Sequence, residues 1–445
     1  MRLLVIGAGD VGSSIAASLS GSHEVVVVDT DRERVDALTY EYDVLPIHGD
    51  GTSLDVLEEA DAAKADIVIA STDSDETNLA ISGTIKTISD AFTIARVQKL
   101  AYLETWQRSH TAFGVDFMVC TDLLTAQSIV RLIGLPTAKD VDPFAGGRVQ
   151  MAEFEVPTGG PLTSRTIQQA DQYDGLTFAA IVRDDEAIIP SGEDVIEAGD
   201  RVVVIGNPET VRQFATAVTA EETVEASRDV VIVGGSSIGY QVARLLEERD
   251  IGPRLFESDP DRARTIAEQL PRTTVMEHDA TDLDFLEREH VAEADIVVAT
   301  LDSDEKTLLA ALIAKRVGVE RTVAVVDEAQ YVDLFEAVGV DVAVNPREVT
   351  AEEITRFTRE RRAENVAILE SGTAEVMELE IGADSSLTGR PISEAVRDFP
   401  EGVVIGAITR GGEFVVPRGD TVVEENDHLV LFAREGVVDD VLDLL

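Results

Sequence analysis

Cysteine is almost missing from this chain: Cys120 stands alone. That excludes an intrachain disulfide and any thiolate metal cluster, and it suits a reducing compartment. Lysine is scarce too, with only Lys64, Lys86, Lys99, Lys139, Lys306 and Lys315, so arginine supplies most of the positive charge. Basic residues number 37 against 85 acidic ones, a formal net charge of −48. No basic patch is available, which argues against nucleic acid as a partner. No apolar run approaches the ~20 residues of a membrane-spanning helix, and the amino terminus leads straight into a strand with no signal-like stretch. The acids are spread along the chain between strand-like segments that a disordered acidic protein would lack. The balance reads as a folded protein with an acidic, lysine-poor shell, as a halophile's salt-rich cytoplasm favours, where self-repulsion is screened.

What is present begins at the first residues. Leu3 to Ile6 read as a buried strand, and Gly7-Ala8-Gly9-Asp10-Val11-Gly12 opens a helix with apolar residues at Val11, Ile15, Ala16 and Leu19. A GxGxxG at a strand–helix turn uses its glycines for a tight turn, for close approach of a pyrophosphate to bare backbone, and for helix–strand packing. The phosphates then meet the unpaired N–H groups and positive dipole end of the helix. A second strand, Val25 to Val28, ends in Asp29, at the distance where this fingerprint places the carboxylate that holds the ribose hydroxyls.

Short β-branched runs alternate with helical patterns through the first unit. Strands are expected at Arg2–Ile6, Val25–Val28, Val44–Ile47, Ile67–Ala70, Thr93–Val97 and Phe117–Val119, with helices such as 53–60 and 78–89 between them. This implies a doubly wound parallel sheet with right-handed crossovers. Thr121-Asp122 cap a further helix that Gly134 and Pro136 stop. Residues 137–147 read as a loop. The texture then changes to short strands at Val149–Val156, Leu176–Arg183, 187–189 and Arg201–Ile205, with a turn at Asp184-Asp185 and one helix over 166–172. That is a small α+β module, followed by a linker over 221–227.

The pattern then recurs. Gly234-Gly235-Ser236-Ser237-Ile238-Gly239 repeats the opening, Asp279-Ala280-Thr281 repeats Asp50-Gly51-Thr52, and Asp302-Ser303-Asp304-Glu305 repeats Asp73-Ser74-Asp75-Glu76. Gly339-Val340-Asp341 repeats Gly114-Val115-Asp116, while Pro417, Gly419 and Asp427 answer Pro190, Gly192 and Asp200. The fold class is therefore α/β: two Rossmann-like domains with connector helices, at 1–136 and 226–364, each followed by a small α+β domain, at 137–225 and 365–445.

Four loops of the first unit converge where open α/β sheets bind ligands, at the carboxyl ends of the strands. They carry Gly7 to Gly12, Asp29 with Asp31, Asp50-Gly51-Thr52, and Thr72-Asp73 through Asn78. Asp29 suits two ribose hydroxyls and repels a 2′-phosphate, so NAD(H) or ATP/ADP fits better than NADP. Asp50 to Thr52 are placed to read the adenine edge, and Arg96, at a strand end, to pair with phosphate. The second unit departs from this set. Ser236 replaces the middle glycine, Glu257 the strand-end acid, His278 Gly49, Thr307 Asn78, and Val325 Arg96. Its site is expected to be weaker, altered in ligand, or empty, because the phosphates lose a charge-assisted contact.

Catalysis finds little support. The six histidines, His23, His48, His110, His278, His290 and His428, do not recur at equivalent repeat positions and show no metal-ligand spacing. No Ser/His/Asp or Cys/His arrangement stands out. The glycine fingerprint alone would also allow an NAD-dependent oxidoreductase, but the duplication and the lack of a hydride-acceptor site weigh against it. Apolar strands such as 202–205 and 429–432 read as core of the small modules that could extend into a dimer interface.

The combination of Gly-Ala-Gly-Asp-Val-Gly at 7–12, Val-Val-Asp-Thr-Asp at 27–31, Gly-Asp-Gly-Thr at 49–52, Ser-Asp-Glu-Thr-Asn at 74–78 and Ile-Ala-Arg-Val at 94–97 resembles the TrkA family of the Trk potassium uptake system. In domain terms it resembles two tandem RCK (KTN) units, each with its RCK-C module, over essentially the whole chain. The resemblance implies a cytoplasmic, non-enzymatic regulator that binds NAD(H) or adenine nucleotides. It also implies self-assembly into a ring, as a homodimer or homotetramer, and docking on the inner face of the plasma membrane against a membrane-embedded potassium-conducting subunit. Carried over by position, the contacts are Gly7, Ala8, Gly9, Asp10, Val11, Asp29, Asp50, Gly51, Thr72, Asp73 and Arg96. The second set is Gly234, Gly235, Ser236, Ser237, Ile238, Glu257, Asp279 and Ala280. The same kind of ring serving another cation transporter remains open.

Overall fold

The computed structural model describes residues 1–21, 23–109, 112–135, 137–183, 186–219, 229–359, 365–368, 374–382, 385–397, 399–434, 437 and 441. The expected turn at 184–185, the linker at 221–227, the stop at Pro136 and His110 lie outside them. Among the described residues no helix is long and apolar enough to cross a membrane.

The first sheet holds six strands, β1 (Arg2–Ile6), β2 (Glu24–Asp29), β3 (Val44–His48), β4 (Ile67–Ala70), β5 (Phe92–Val97) and β6 (Phe117–Cys120). Their order is β3-β2-β1-β4-β5-β6, all parallel. Helices α1 (Asp10–Ser20), α2 (Arg32–Glu41), α3 (Leu54–Glu59), α4 (Asp75–Ile88) and α5 (Leu100–Arg108) lie between them, and α6 (Thr121–Gly134) follows β6. The central strands are largely apolar because helices cover both faces: every residue of β4 is buried, and so are Leu3 to Ile6. The order reverses between β1 and β4, so the loops after these two strands diverge and leave a crevice at their carboxyl ends.

The first small domain is an antiparallel sheet of β7 (Asp140–Phe144), β8 (Val149–Glu155), β9 (Leu176–Arg183), β10 (Glu186–Ile188) and β11 (Arg201–Gly206), in the order β10-β9-β11-β8-β7. Strand β7 runs through the middle of 137–147, a stretch whose local composition predicts a loop. Val141 and Phe144 point into the core, and Pro143 is tolerated because β7 is an edge strand. Helix α7 (Ile167–Ala170) is shorter than expected and starts at a capping box, Thr166 with Gln169. A second helix, α8 (Pro208–Thr219), was not expected; it buries Val211, Phe214, Ala215 and Val218.

Among the described residues the repeat recurs in three dimensions. The third sheet is parallel, with strands β12 (Val230–Val233), β13 (Arg254–Glu257), β14 (Thr274–Glu277), β15 (Ile296–Ala299), β16 (Arg321–Val325) and β17 (Val342–Val344) in the order β14-β13-β12-β15-β16-β17. Its helices are α9 (Ser237–Glu247), α10 (Pro260–Gln269), α11 (Leu283–Arg288), α12 (Asp304–Val317), α13 (Val332–Ala337) and α14 (Pro346–Arg359). The fourth sheet is antiparallel, with β18 (Asn365–Ile368), β19 (Ala374–Glu380), β20 (Val403–Arg410), β21 (Glu413–Val415) and β22 (His428–Arg434) in the order β18-β19-β22-β20-β21, plus helix α15 (Ile392–Ala395).

Compactness does not follow chain order. The two Rossmann-like halves form one unit, residues 1–130 with 228–355, and the two small domains form another, 131–227 with 356–445. Within the first unit the connector helices α6 and α14 meet, and Thr350 Oγ1 donates to Thr121 Oγ1 at 3.1 Å. Within the second, Val203 and Ile205 share one hydrophobic cluster with Val376, Val430 and Phe432. The apolar strands read as a possible dimer interface therefore meet the sister module of the same chain.

Candidate functional site

The crevice of the first sheet opens as a cavity of about 460 Å³, lined by residues of all four expected loops. Gly7, Gly9, Asp29, Asp50, Gly51, Thr72 and Asp73 face it. Gly7 has φ +107° and lies so close to the Ser71–Thr72 backbone that a Cβ would sit 2.8 Å from the Thr72 nitrogen. Only glycine takes both constraints. At Gly12 a Cβ would fall 1.8 Å from the Gly7 carbonyl oxygen, so this residue serves the close packing of α1 on β1. Val11 is buried among core residues on the same helix.

The acids are held in place by backbone. Asp29 Oδ2 accepts from the Ala8 N–H at 2.5 Å and its Oδ1 accepts from Asp31 N–H, which fixes the carboxylate at the mouth of the glycine loop. Asp31 caps α2, accepting from Glu33 and Arg34 N–H, and does not line the cavity. Asp50 accepts from both the N–H and the hydroxyl of Thr52, bonds that hold its carboxyl below the usual carboxylate range.

Arg96 is buried, 4 % exposed, at the end of β5. Its Nε donates to Thr121 Oγ1 at 3.1 Å and its Nη1 to Asp73 Oδ1 at 3.4 Å. Asn78 staples this corner: its amide donates to the carbonyls of Thr72 and Arg96, and its oxygen accepts from Thr72 N–H. The guanidinium thus bonds Thr121 on one side and reaches the exposed Asp73, which lines the cavity, on the other. That arrangement suits an anion which displaces Asp73.

Sequence reasoning missed Arg34, which lines the cavity with its guanidinium 3.5 Å from where a Cβ on Gly9 would lie. The signal was available: Arg34 recurs as Arg262 in the repeat.

The second unit keeps the frame and changes the chemistry. Gly234 keeps φ +101°, and Glu257 takes the place of Asp29 by accepting from Gly235 N–H at 2.8 Å. Ser236 spends its hydroxyl on capping α9, accepting from Gly239 N–H. Arg262 donates Nε to the Gly235 carbonyl at 2.7 Å, directly at the loop. Asp279 and Thr281 reproduce the Asp50–Thr52 turn, with the same lowering of the carboxyl, and Ala280 is buried. Leu301 stands where Thr72 stood, packed on the core, and Val325 is buried where Arg96 stood. His278 stacks on Phe285 at 3.9 Å, its Nε2 3.0 Å from Asp282 Oδ2.

Two copies of this frame, each with a small antiparallel domain after it, can be compared with known proteins. A family model described as the TrkA-N domain matches residues 3–121 and 230–346, and one described as the TrkA-C domain matches 151–218 and 376–445. The chain belongs to the TrkA family. It is 34 % identical to the Trk system potassium uptake protein TrkA homolog 1 of Methanosarcina mazei, covering 99 % of each chain. It is 36 % identical to the TrkA homolog of Archaeoglobus fulgidus, covering 98 % of this chain and 97 % of the relative. Among solved structures, the GsuK RCK domain matches with a TM-score of 0.59 at 19 % identity, covering 99 % of this chain and 95 % of that one. A structure of the GsuK channel bound to NAD matches with a TM-score of 0.59 at 20 % identity, over 99 % of this chain and 78 % of that one. These structures share the fold, and the relatives named are potassium uptake proteins, not oxidoreductases.

Proposed function

We propose that this TrkA-family chain is a nucleotide-sensing regulatory subunit of Trk-type potassium uptake, with NAD(H) or ATP/ADP bound in the first Rossmann-like domain. The observation that carries the reading is the first cavity. A glycine loop at a helix start and a fixed strand-end carboxylate line one space, and the buried Arg96 stands behind its wall, bonded to the lining residue Asp73. Asp29 takes the ribose hydroxyls, the N–H groups of Gly9 to Val11 and the start of α1 take the phosphates, and Arg96 adds a charged contact. The second site, with Val325 and Leu301 in place of Arg96 and Thr72, binds more weakly or not at all. The four domains act with limits near 136, 225 and 364. They assemble with further copies into a ring, a homodimer or homotetramer, which docks on the cytoplasmic face of a membrane-embedded potassium-conducting subunit. The chain regulates and does not catalyse. A nucleotide shifts gating only through its differential affinity for two ring states.

The test is calorimetric titration of the full chain with NADH, NAD⁺, ATP and ADP in concentrated KCl, beside Arg96→Ala. Binding weakened about thirtyfold in the variant, the worth of one charge-assisted bond of ~2 kcal/mol, supports the reading. Binding indifferent to Arg96 refutes the first-site assignment, and steady NADH consumption with small carbonyls refutes the regulator.

A further inference from the structure

The two connector helices present opposite charges to the two glycine loops. Helix α14 opens Pro346-Arg347 and α6 opens Thr121-Asp122, so Arg347 occupies the repeat position of Asp122. Arg347 Nη1 donates to Asp10 Oδ2, on the fourth residue of the first glycine loop, which is also the first residue of α1. Asp122 is hydrogen-bonded to Ser237, the fourth residue of the second glycine loop and the first of α9. Each half therefore hands one side chain to the nucleotide loop of the other, a cation in one direction and an anion in the return.

Arg347 is not locked into the core: its side chain is 33 % exposed and that of Asp10 is 52 % exposed. Asp73 also attracts it, and Asp73 is the carboxylate that Arg96 already holds. Two arginines, one from each half, thus reach carboxylates beside the first glycine loop: Asp73, which lines the cavity, and Asp10, which belongs to the loop. A carboxylate at that point is a weaker partner for a guanidinium than a phosphate chain, which offers more oxygens and more charge.

We infer that Arg347 is a second cationic ligand for the phosphate chain of the nucleotide in the first site, supplied by the opposite half, and that Asp10 competes with the phosphates for it. Asp122, at the same place beside the second loop, repels a phosphate chain there. The asymmetry of the two sites is then set by one charge inversion across the junction as well as by the loss of Arg96. Transfer of Arg347 from Asp10 to phosphate changes a bond between the halves, which is the differential contact that a sensing ligand requires. The inference rests on the nucleotide reading above.

The test uses the full chain in concentrated KCl, titrated calorimetrically with AMP, ADP and ATP, for the natural sequence, Arg347→Gln, Arg347→Lys, Asp10→Asn and Arg96→Ala. Arg347→Gln is expected to weaken ADP and ATP at least about tenfold and AMP less than threefold, with Arg347→Lys between. Asp10→Asn is expected to strengthen ADP severalfold. Opposite signs in two variants of one ion pair cannot both come from damaged folding. If Arg347→Gln binds ADP like the natural sequence while Arg96→Ala weakens it, Arg347 is no ligand and the first-site reading survives. If the natural sequence binds none of the three, the inference about Arg347 falls, and the first-site reading then stands or falls with the NADH and NAD⁺ titrations.

Discussion

The two Rossmann-like halves share strand order, loop geometry and even the Asp–Thr turn after the third strand, yet they offer a ligand different surfaces. In the first half the crevice wall is polar where the phosphate chain would run: Thr72 and Asp73 line it, with Arg96 behind Asp73 and Asn78 tying Thr72 to the Arg96 backbone. In the second half the same places hold Leu301 and Val325, and Thr307 reaches only the Leu301 carbonyl at 3.4 Å. The scaffold is set by backbone constraints that tolerate such exchanges, whereas the polar character of the crevice rests on a few side chains, Thr72, Asp73, Asn78 and Arg96, that the second half does not keep as a set.

That comparison can be broken in several ways. The largest expected effect acts on both halves alike: removing salt from a chain of net charge −48 unmasks self-repulsion, and cooperative unfolding should follow on dialysis into low-salt buffer. Circular dichroism unchanged by dialysis would refute the acidic-shell reading. Next come the packing glycines. Gly12→Ala places a Cβ 1.8 Å from the Gly7 oxygen, and Gly239→Ala one 2.3 Å from the Gly234 oxygen. Backbone cannot yield cheaply, so each should cost about 3 kcal/mol by chemical denaturation. Equal costs in the two halves support a common scaffold; a tolerated alanine in either would break it.

Gly235→Ala should cost about 1 kcal/mol, because its Cβ would meet only the ends of Ile266 and Glu257, at 2.5 and 2.7 Å. The first half already carries Ala8 at this position beside the shorter Asp29, so the substitution asks whether Glu257, one methylene longer, can give way. The smallest effect concerns Cys120, whose thiol donates to the Gln98 carbonyl as Asn345 donates to that of Asp327 in the repeat. Burial pushes the Cys120 thiol up to about 11 from 9.0. Alkylation at pH 8 should be at least about a hundredfold slower than in the unfolded chain, from thiolate fraction alone. The raised value favours the neutral thiol, so its contribution to stability is complete below pH 9 and is lost as pH rises through about 11. Rapid labelling of the folded protein at pH 8 would show that the site is open.

Much of the first site was legible because its determinants are local. Glycines at fixed spacing, a strand-end acid and an arginine closing an apolar run all follow from the geometry of one strand–helix unit. The roles of Asp31 and Gly12 were harder to separate from binding. A cap and a packing glycine carry the same letters as ligands, and only the structure shows Asp31 turned to the Glu33 N–H and Gly12 against Gly7. The strand at Asp140–Phe144 was read as loop because Pro143 and the glycines after it dominate local propensity, while the burial of Val141 and Phe144 depends on a partner strand. Helix α8, by contrast, does have a local signal in the apolar spacing of Val211, Phe214, Ala215 and Val218.

By itself the sequence determined the duplication, the two kinds of domain and the glycine loops, since periodicity, turn chemistry and repeat spacing act within a few residues of the chain. Only the tertiary structure decided which modules pair: the Rossmann-like halves with each other and the small domains with each other, against chain order. It alone also placed Arg347 beside Asp10, a meeting of residues more than three hundred positions apart. Such contacts depend on which apolar faces find one another, and no local pattern records that choice.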